Sequence, residues 1–447
     1  MKIILCFFLL VFLPLSARAD MLNIREVTSP SGIKAWLVED HTVPALSIKF
    51  AFRGGGSSND PKDLQGLSRL LSNTLDEGAG DLSSEAFQAL LNDKSISLSF
   101  NTGRDDFGGQ LKTLTKNKEK AFELLKLSLT KPRFEQDAIN RMIAANLGRI
   151  KSDMTDPDWM SARLMNSVIF KDHAYAMNSG GTLSSLPKIS ADKLRNKIAK
   201  DLSRDRLIIS AAGDISEQEL AAALDEIFGS LPAKASPDNI EAVKWSDASV
   251  TLYRHDIPQT IIAAALPGIR MNDPDYHAAE IMNFILGSSG FGSRLTEVIR
   301  EQNGLTYGIY TGMDMMDHAA IFTLNTSTKS DTTAKLLELT KQEFEKIKTE
   351  EVSDKELKDA RAYLIGSTPL SLSSNDQIAG MMLAFQRYDL PRNYLDLREQ
   401  AWRKVTKADI RRVAQRLLDS SKLVITLVGS PKDITPTATV TELPDVR

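Results

Sequence analysis

Residues 64–80 read Leu64-Gln65-Gly66-Leu67-Ser68-Arg69-Leu70-Leu71-Ser72-Asn73-Thr74-Leu75-Asp76-Glu77-Gly78-Ala79-Gly80. Leu67, Leu70, Leu71, Thr74 and Leu75 recur at helical spacing, which predicts a helix with one buried stripe, ended by Gly78 and Gly80. Arg69, Ser72, Asn73 and Asp76 fall together on another face. Arg69, Ser72 and Asn73 are not metal ligands of the usual kind.

Upstream, Ile33 to Val38 alternates enough for a strand, Asp40 to Pro44 makes a turn, and Ala45 to Phe52 gives a second strand. Arg53 to Pro61 is a glycine-rich connection into the helix, without the lysine or spacing of a phosphate-binding loop. Downstream, Ser83 and Ser84 start a helix that runs to about Asn92. Short strands are expected over Ile96 to Phe100 and Gly108 to Leu114, and an amphipathic helix from Lys118 to Leu129 stops before Pro132. Glu135 to Asp153, the segment after Pro157 and Ala191 to Lys200 read as helices, and Leu207 to Ala212 as a buried strand.

The chain then begins again. At a shift of 216, Ile189-Ser190 matches Val405-Thr406, Leu207-Ile208-Ile209-Ser210 matches Leu423-Val424-Ile425-Thr426, and Gly213 matches Gly429. At 214, Val43-Pro44 pairs with Ile257-Pro258 and Gly54 with Gly268; at 218, Ile139 pairs with Leu357 and Gly148 with Gly366. Several blocks in the same order, separated by small changes of offset, are what loop insertions produce in two copies of one fold. The expected architecture is therefore α+β: two homologous halves, each an antiparallel sheet with helices packed on it, facing each other as a clamshell or chamber.

With 447 residues and 42% hydrophobic content, each half has enough apolar material for its own core. Lys2, the apolar run Ile3 to Leu15 and Ala17-Arg18-Ala19 have the form of a signal peptide over 1–19. The alternative is an uncleaved anchor, for which the run is short. Domains are then expected at 20–228 and 248–447, with a Pro- and Ser-containing linker at 229–247. Cys6 is the only cysteine and would leave with the signal, so no disulfide or thiolate chemistry is expected. Loss of Lys2 and Arg18 takes the formal charge from -3 to about -5, with both signs interspersed, which argues against nucleic acid or an anionic membrane as partner. An exported protein follows, with the periplasm of a Gram-negative bacterium as its expected location.

Two further blocks lie in the second half: Leu286-Gly287-Ser288-Ser289-Gly290-Phe291-Gly292-Ser293-Arg294-Leu295, and Val298 to Tyr310 with Arg300, Gly304-Leu305 and Tyr307. With the Gly66-Leu67 helix and the duplication, they resemble the pitrilysin/insulinase-type inverzincin peptidases, the family of mitochondrial processing peptidase. The resemblance covers almost the whole mature chain. It implies that Arg300 and Tyr307 are substrate-binding residues, which donate hydrogen bonds to a peptide carbonyl and its oxyanion. It also implies that Ile96 to Phe100 lies where a substrate strand adds to a sheet edge.

Active members of that family carry H-x-x-E-H on the opening helix and a later glutamate as third zinc ligand. Carried over residue by residue, the motif falls on Arg69, Ser72 and Asn73, and the later ligand at or next to Arg149. These positions are a degenerate zinc motif. Arginine has no lone pair to offer, asparagine is a poor zinc ligand, and serine cannot act as a carboxylate base. No substitute site is legible: His41, His173, His255, His277 and His318 are scattered and read as loop or surface residues. Asp76, Glu77 and Asp81 read as solvated charge, Asp105 and Asp106 as an exposed turn, and no G-x-S-x-G motif is present.

The expected function is a non-catalytic, peptide-binding subunit of an exported two-subunit zinc metallopeptidase. Its zinc would sit in a homologous partner subunit, with peptide or unfolded protein as substrate and no cofactor in this chain. The alternative is a stand-alone inactive homologue acting in peptide binding or assembly. Proteolysis by this chain through a novel site is the third reading, which stoichiometric zinc in the pure chain would favour.

Overall fold

A computed structural model describes residues 21–236, 240–444 and 446. The signal segment, Cys6, Asp20 and three linker positions, 237–239, lie outside the described residues.

In the first half, β1 (Arg25–Thr28), β2 (Lys34–Glu39), β3 (Ala45–Arg53), β4 (Ser97–Thr102), β5 (Asp106–Leu114) and β6 (Leu207–Gly213) make a sheet in the order β1-β2-β6-β3-β5-β4. Around it lie α1 (Leu67–Ser72), α2 (Ser84–Asp93), α3 (Lys118–Thr130), α4 (Gln136–Asp153), α5 (Pro157–Ile169), α6 (Ala191–Asp201) and α7 (Glu217–Phe228). In the second half, β7 (Ser249–Arg254), β8 (Gln259–Pro267), β9 (Ile309–Met315), β10 (Ala320–Lys329), β11 (Val424–Gly429) and β12 (Ala438–Val440) take the order β12-β7-β11-β8-β10-β9. Its helices are α8 (Tyr276–Asn283), α9 (Thr333–Thr349), α10 (Asp354–Ser367), α11 (Asn375–Arg387), α12 (Tyr394–Lys404) and α13 (Lys407–Leu417), with wider turns over 284–288 and 296–302.

The duplication is now visible as geometry. β3 and β8 are related by a shift of 214, α5 and α11 by 218, and α6 and α13 by 216, each copy starting and ending at matching positions. Gly213 and Gly429 close β6 and β11 with φ of +121° and +143°, a backbone that side-chain-bearing residues avoid. A Cβ on Gly213 would stand 2.2 Å from the carbonyl oxygen of Ala45.

The sequence predicts an antiparallel sheet in each half; the sheets are instead mixed. β2 runs parallel to β6, and β7 runs parallel to both β11 and β12. β6 and β11 reach the sheet only after a long helical excursion, and nothing constrains such a crossover to the antiparallel sense of a hairpin.

The two halves exchange helices. α5, from the first half, lies on β8 and β11, where Met165, Ile169 and Phe170 pack with Ala263, Ala265 and Val424. α11, from the second half, lies on β3 and β6, where Ile378, Ala379 and Met382 pack with Ala212. Alanines on the strands let each helix approach closely, and each large side chain so buried contributes about 1.5–3 kcal/mol. The hydroxyl of Ser210 on β6 donates to the Ala379 carbonyl at 2.6 Å, and Gln386 Nε2 donates to the Ile209 carbonyl at 2.8 Å.

Polar contacts lock the same junction. Asp105 and Asp106 are not an exposed turn: Asp106 is buried with Arg387 Nε 2.5 Å from its Oδ2, and Asp105 accepts from the Asp317 amide at 3.0 Å and from the Tyr175 hydroxyl. An acid pair that looks solvated in sequence is covered here by the other half. The end of the expected linker is likewise pinned, through Val243 N to the His318 carbonyl at 2.9 Å and Trp245 Nε1 to the Lys422 carbonyl at 2.9 Å. His277 is a helix residue rather than a loop one, half-buried and bonded to Glu280 at 2.8 Å.

Candidate functional site

The predicted apolar stripe is buried throughout: Leu67, Leu70, Leu71, Thr74 and Leu75. The helix is shorter than its periodicity implies, ending at Ser72 with Asn73 as C-cap. The Ser72 hydroxyl donates to the Arg69 carbonyl at 2.8 Å, and the Thr74 hydroxyl to the Leu70 carbonyl at 2.8 Å. Such side-chain bonds compete with the backbone ladder and unwind the last turns before Gly78.

The N-terminal end of α1 is held by a buried charge cluster that the sequence did not reveal. Asp60 accepts from the Ser68 amide at 3.0 Å and the Ser68 hydroxyl at 2.6 Å. Lys197, on α6, lies 3.1 Å from Asp60 and 2.9 Å from Asp201, and all three are almost fully buried. Burial pushes the Asp60 carboxyl above the usual carboxylate range, against the pull of Lys197 and the Ser68 bonds. Gly66, at φ +88°, takes the left-handed turn before α1, where a Cβ would meet Gly181 Cα at 2.6 Å.

The polar face of α1 meets α4. Asn73 Oδ1 accepts from Asn146 Nδ2 at 3.2 Å, and Asn146 Oδ1 accepts from Arg149 Nη2 at 3.1 Å. Arg69 shares this face: its pKa is lowered, first by burial and then by the positive charge of Arg149. The structure thus brings Arg69, Asn73 and Arg149 together, and adds Asn146, which sequence reasoning missed. Its position one turn before Arg149 was the available signal. Ser72 does not join them, because its hydroxyl is turned back onto its own helix.

This constellation does not fit zinc. Two guanidinium groups repel a dication, and the amide oxygens of Asn73 and Asn146 each already accept a hydrogen bond. Among the described residues, no cluster of three or more His, Cys, Asp or Glu side chains is placed to hold a metal ion.

Arg300 and Tyr307 lie in the second half, in contacts separate from this face. The Arg300 guanidinium sits over the Phe291 ring, 4.6 Å from its centroid, with Nε 3.3 Å from Glu301. Phe291 and Tyr307 are 77% and 87% exposed, so neither is spent on the core. The backbone beneath Tyr307 is nevertheless fixed. Thr328 Oγ1 donates to the Leu305 carbonyl at 2.6 Å, Thr326 Oγ1 to the Gly308 carbonyl at 2.8 Å, and the Gly308 amide to Thr306 Oγ1 at 3.1 Å. The result is an outward-facing phenol on a hydrogen-bonded base, and, seven residues earlier in the chain, a guanidinium stacked on an aromatic ring. Phe291 was legible only as an apolar residue between two loop glycines. β4, the strand beside α1, is the edge of its sheet, and β9, which follows Tyr307, is the edge of the other.

Comparison with known proteins bears on this arrangement. The profile of the insulinase family, peptidase family M16, matches residues 37–176, and that of the peptidase M16 inactive domain matches residues 188–364. The chain belongs to the M16 peptidase family. Among M16 relatives, it is 28% identical over 436 residues to the non-peptidase homolog YmxG of Helicobacter pylori, covering 96% of this chain and 99% of that one. It is 23% identical over 366 residues to an uncharacterized zinc protease, YmxG of Bacillus subtilis, covering 79% and 85%. The crystal structure of a peptidase M16 inactive domain from Pseudomonas fluorescens superimposes with a TM-score of 0.86 at 28% identity, covering 93% of this chain and all of the other. The similarity thus extends across both halves of the duplicated M16 fold.

Proposed function

We propose that this chain is the non-catalytic, peptide-binding subunit of an exported two-subunit zinc metallopeptidase. The observation that carries the reading is the asymmetry between the halves. The metal helix presents Arg69 and Asn73 toward Arg149, while Arg300, Phe291 and Tyr307 remain available to a ligand. A zinc-bearing homologue supplies the metal. The Tyr307 phenol and the Arg300 guanidinium donate hydrogen bonds to the scissile carbonyl and to the oxyanion that forms from it. Glu301, 3.3 Å from Arg300, competes for the guanidinium until a peptide carbonyl replaces it.

The test is isolation of the native complex from the exported fraction, with subunit composition and zinc per chain measured. One zinc-bearing homologue with this chain, and peptide hydrolysis that falls in R300A and Y307F, supports the reading. Absence of a metal-bearing partner together with undiminished peptide turnover in those variants overturns it.

One observation favours a second reading, a stand-alone peptide-binding or assembly protein. The exchange of α5 and α11 closes the junction of the halves from within the chain, which supports a chain that folds on its own. That reading predicts a biological role indifferent to R300A and Y307F.

A further inference from the structure

The face that corresponds to the zinc site in active M16 peptidases has not become neutral. It has changed sign. Arg69 is half-buried on α1, and its Nε is buried with no hydrogen-bond partner among the described residues. Arg149 is exposed on α4 and is held only through the neutral Asn146 carbonyl oxygen, at 3.1 Å. Among the described residues neither guanidinium has a carboxylate at ion-pair distance. Acids are not lacking in the neighbourhood: Glu77 is taken by Arg141 at 2.8 Å, and Arg133 has Glu135. Two like charges held near one another, one partly buried, destabilise the fold unless a counter-charge lies between them. The Asn73–Asn146–Arg149 chain of hydrogen bonds holds Arg149 toward the α1 face that carries Arg69, one turn before Asn73.

We propose that Arg69 and Arg149 form an oxyanion-binding site, so that the metal helix of the fold carries an anion site in this chain. Guanidinium N–H groups suit carboxylate and phosphate oxygens, and the exposed side of Arg149 gives access from solvent. Because α1 packs beside the edge strand β4, a carboxylate on an extended peptide at that edge is one source of the oxyanion, and free phosphate is the other. Its residues come from α1 and α4 of this chain and share no hydrogen bond or ion pair with Arg300 or Tyr307 among the described residues.

The experiment uses the full mature chain and titrates it calorimetrically at low ionic strength with inorganic phosphate, with an acidic peptide, and with the same peptide in amidated, uncharged form. R149Q alters an exposed side chain and serves as the first variant; R69Q is the second, with thermal unfolding of both as the check on folding. Saturable binding of phosphate or of the acidic peptide, weakened about tenfold or more in R149Q, is the expected result. Binding of phosphate marks a small-anion site, and binding of only the acidic peptide marks a peptide carboxylate; both support the proposal. No saturable binding of either probe, or equal affinity in wild type and both variants, overturns it.

Discussion

Arg387 of α11 and Asp106 of β5 meet with Nε and Oδ2 2.5 Å apart, although one belongs to each half of the duplicated chain. Burial and the neighbouring Asp105 and Asp317 raise the Asp106 pKa, and Arg387 opposes them. R387M leaves a buried carboxylate without its counter-charge and is expected to cost about 3 kcal/mol. D106N should cost less, since the charge it leaves behind, that of Arg387, is 34% exposed whereas the Asp106 side chain is 10% exposed. Urea unfolding of both variants measures the difference; equal losses would show that the two residues act only through packing.

The exchanged helices predict that the halves stay together when the chain is cut between them. Lys234 is exposed, and a protease site inserted after it should yield two fragments that co-elute on size exclusion and separate only in denaturant. Separation of the fragments in native buffer would contradict the apolar junctions described for α5 and α11.

Lys197 pairs with two buried carboxylates. K197M should cost about 3–5 kcal/mol, because Asp60 and Asp201 would both remain in the interior and Asp60 would no longer hold the start of α1 in register. Hydrogen exchange at the amides of positions 68 and 70 should accelerate in a milder variant, S68A, which removes the hydroxyl bond to Asp60 and leaves the charges paired.

Asp76 gives a pH signature. Burial, with Glu77 nearby, pushes its carboxyl from an ordinary 3.8 up to about 6. The folded chain therefore holds this proton more tightly than the unfolded chain does, so the contribution to stability is greatest below this window and is lost as pH rises through it. D76N should remove that loss, giving about 1–2 kcal/mol more stability at pH 7 and no gain at pH 4. Denaturant midpoints of both proteins across this range provide the test.

Y307F and R300A are expected to leave the fold intact, with unfolding free energies within about 0.5 kcal/mol of wild type, because Tyr307 is exposed and Arg300 rests on the exposed Phe291. F291A should weaken peptide binding through Arg300, by freeing the guanidinium from its ring. Peptide affinity that survives all three substitutions would remove this surface from the site.

The amino-acid sequence by itself determined the repeat, the strand and helix positions and the loss of metal-ligand chemistry at Arg69, Ser72 and Asn73. Period, spacing and functional-group chemistry are local properties, and α6 at Ala191–Asp201 or β3 at Ala45–Arg53 lies within a residue or so of where its pattern places it. Tertiary structure alone decided the rest. Ser72 turns inward because its hydroxyl finds the Arg69 carbonyl, and Asn146 enters the site because α4 crosses α1 at that turn. Asp106 is buried because α11 comes from more than two hundred residues away to cover it. Two acids next to an arginine carry no mark of what will cover them. That depends on which distant helix the exchange of α5 and α11 brings over the sheet, and on how much water it removes.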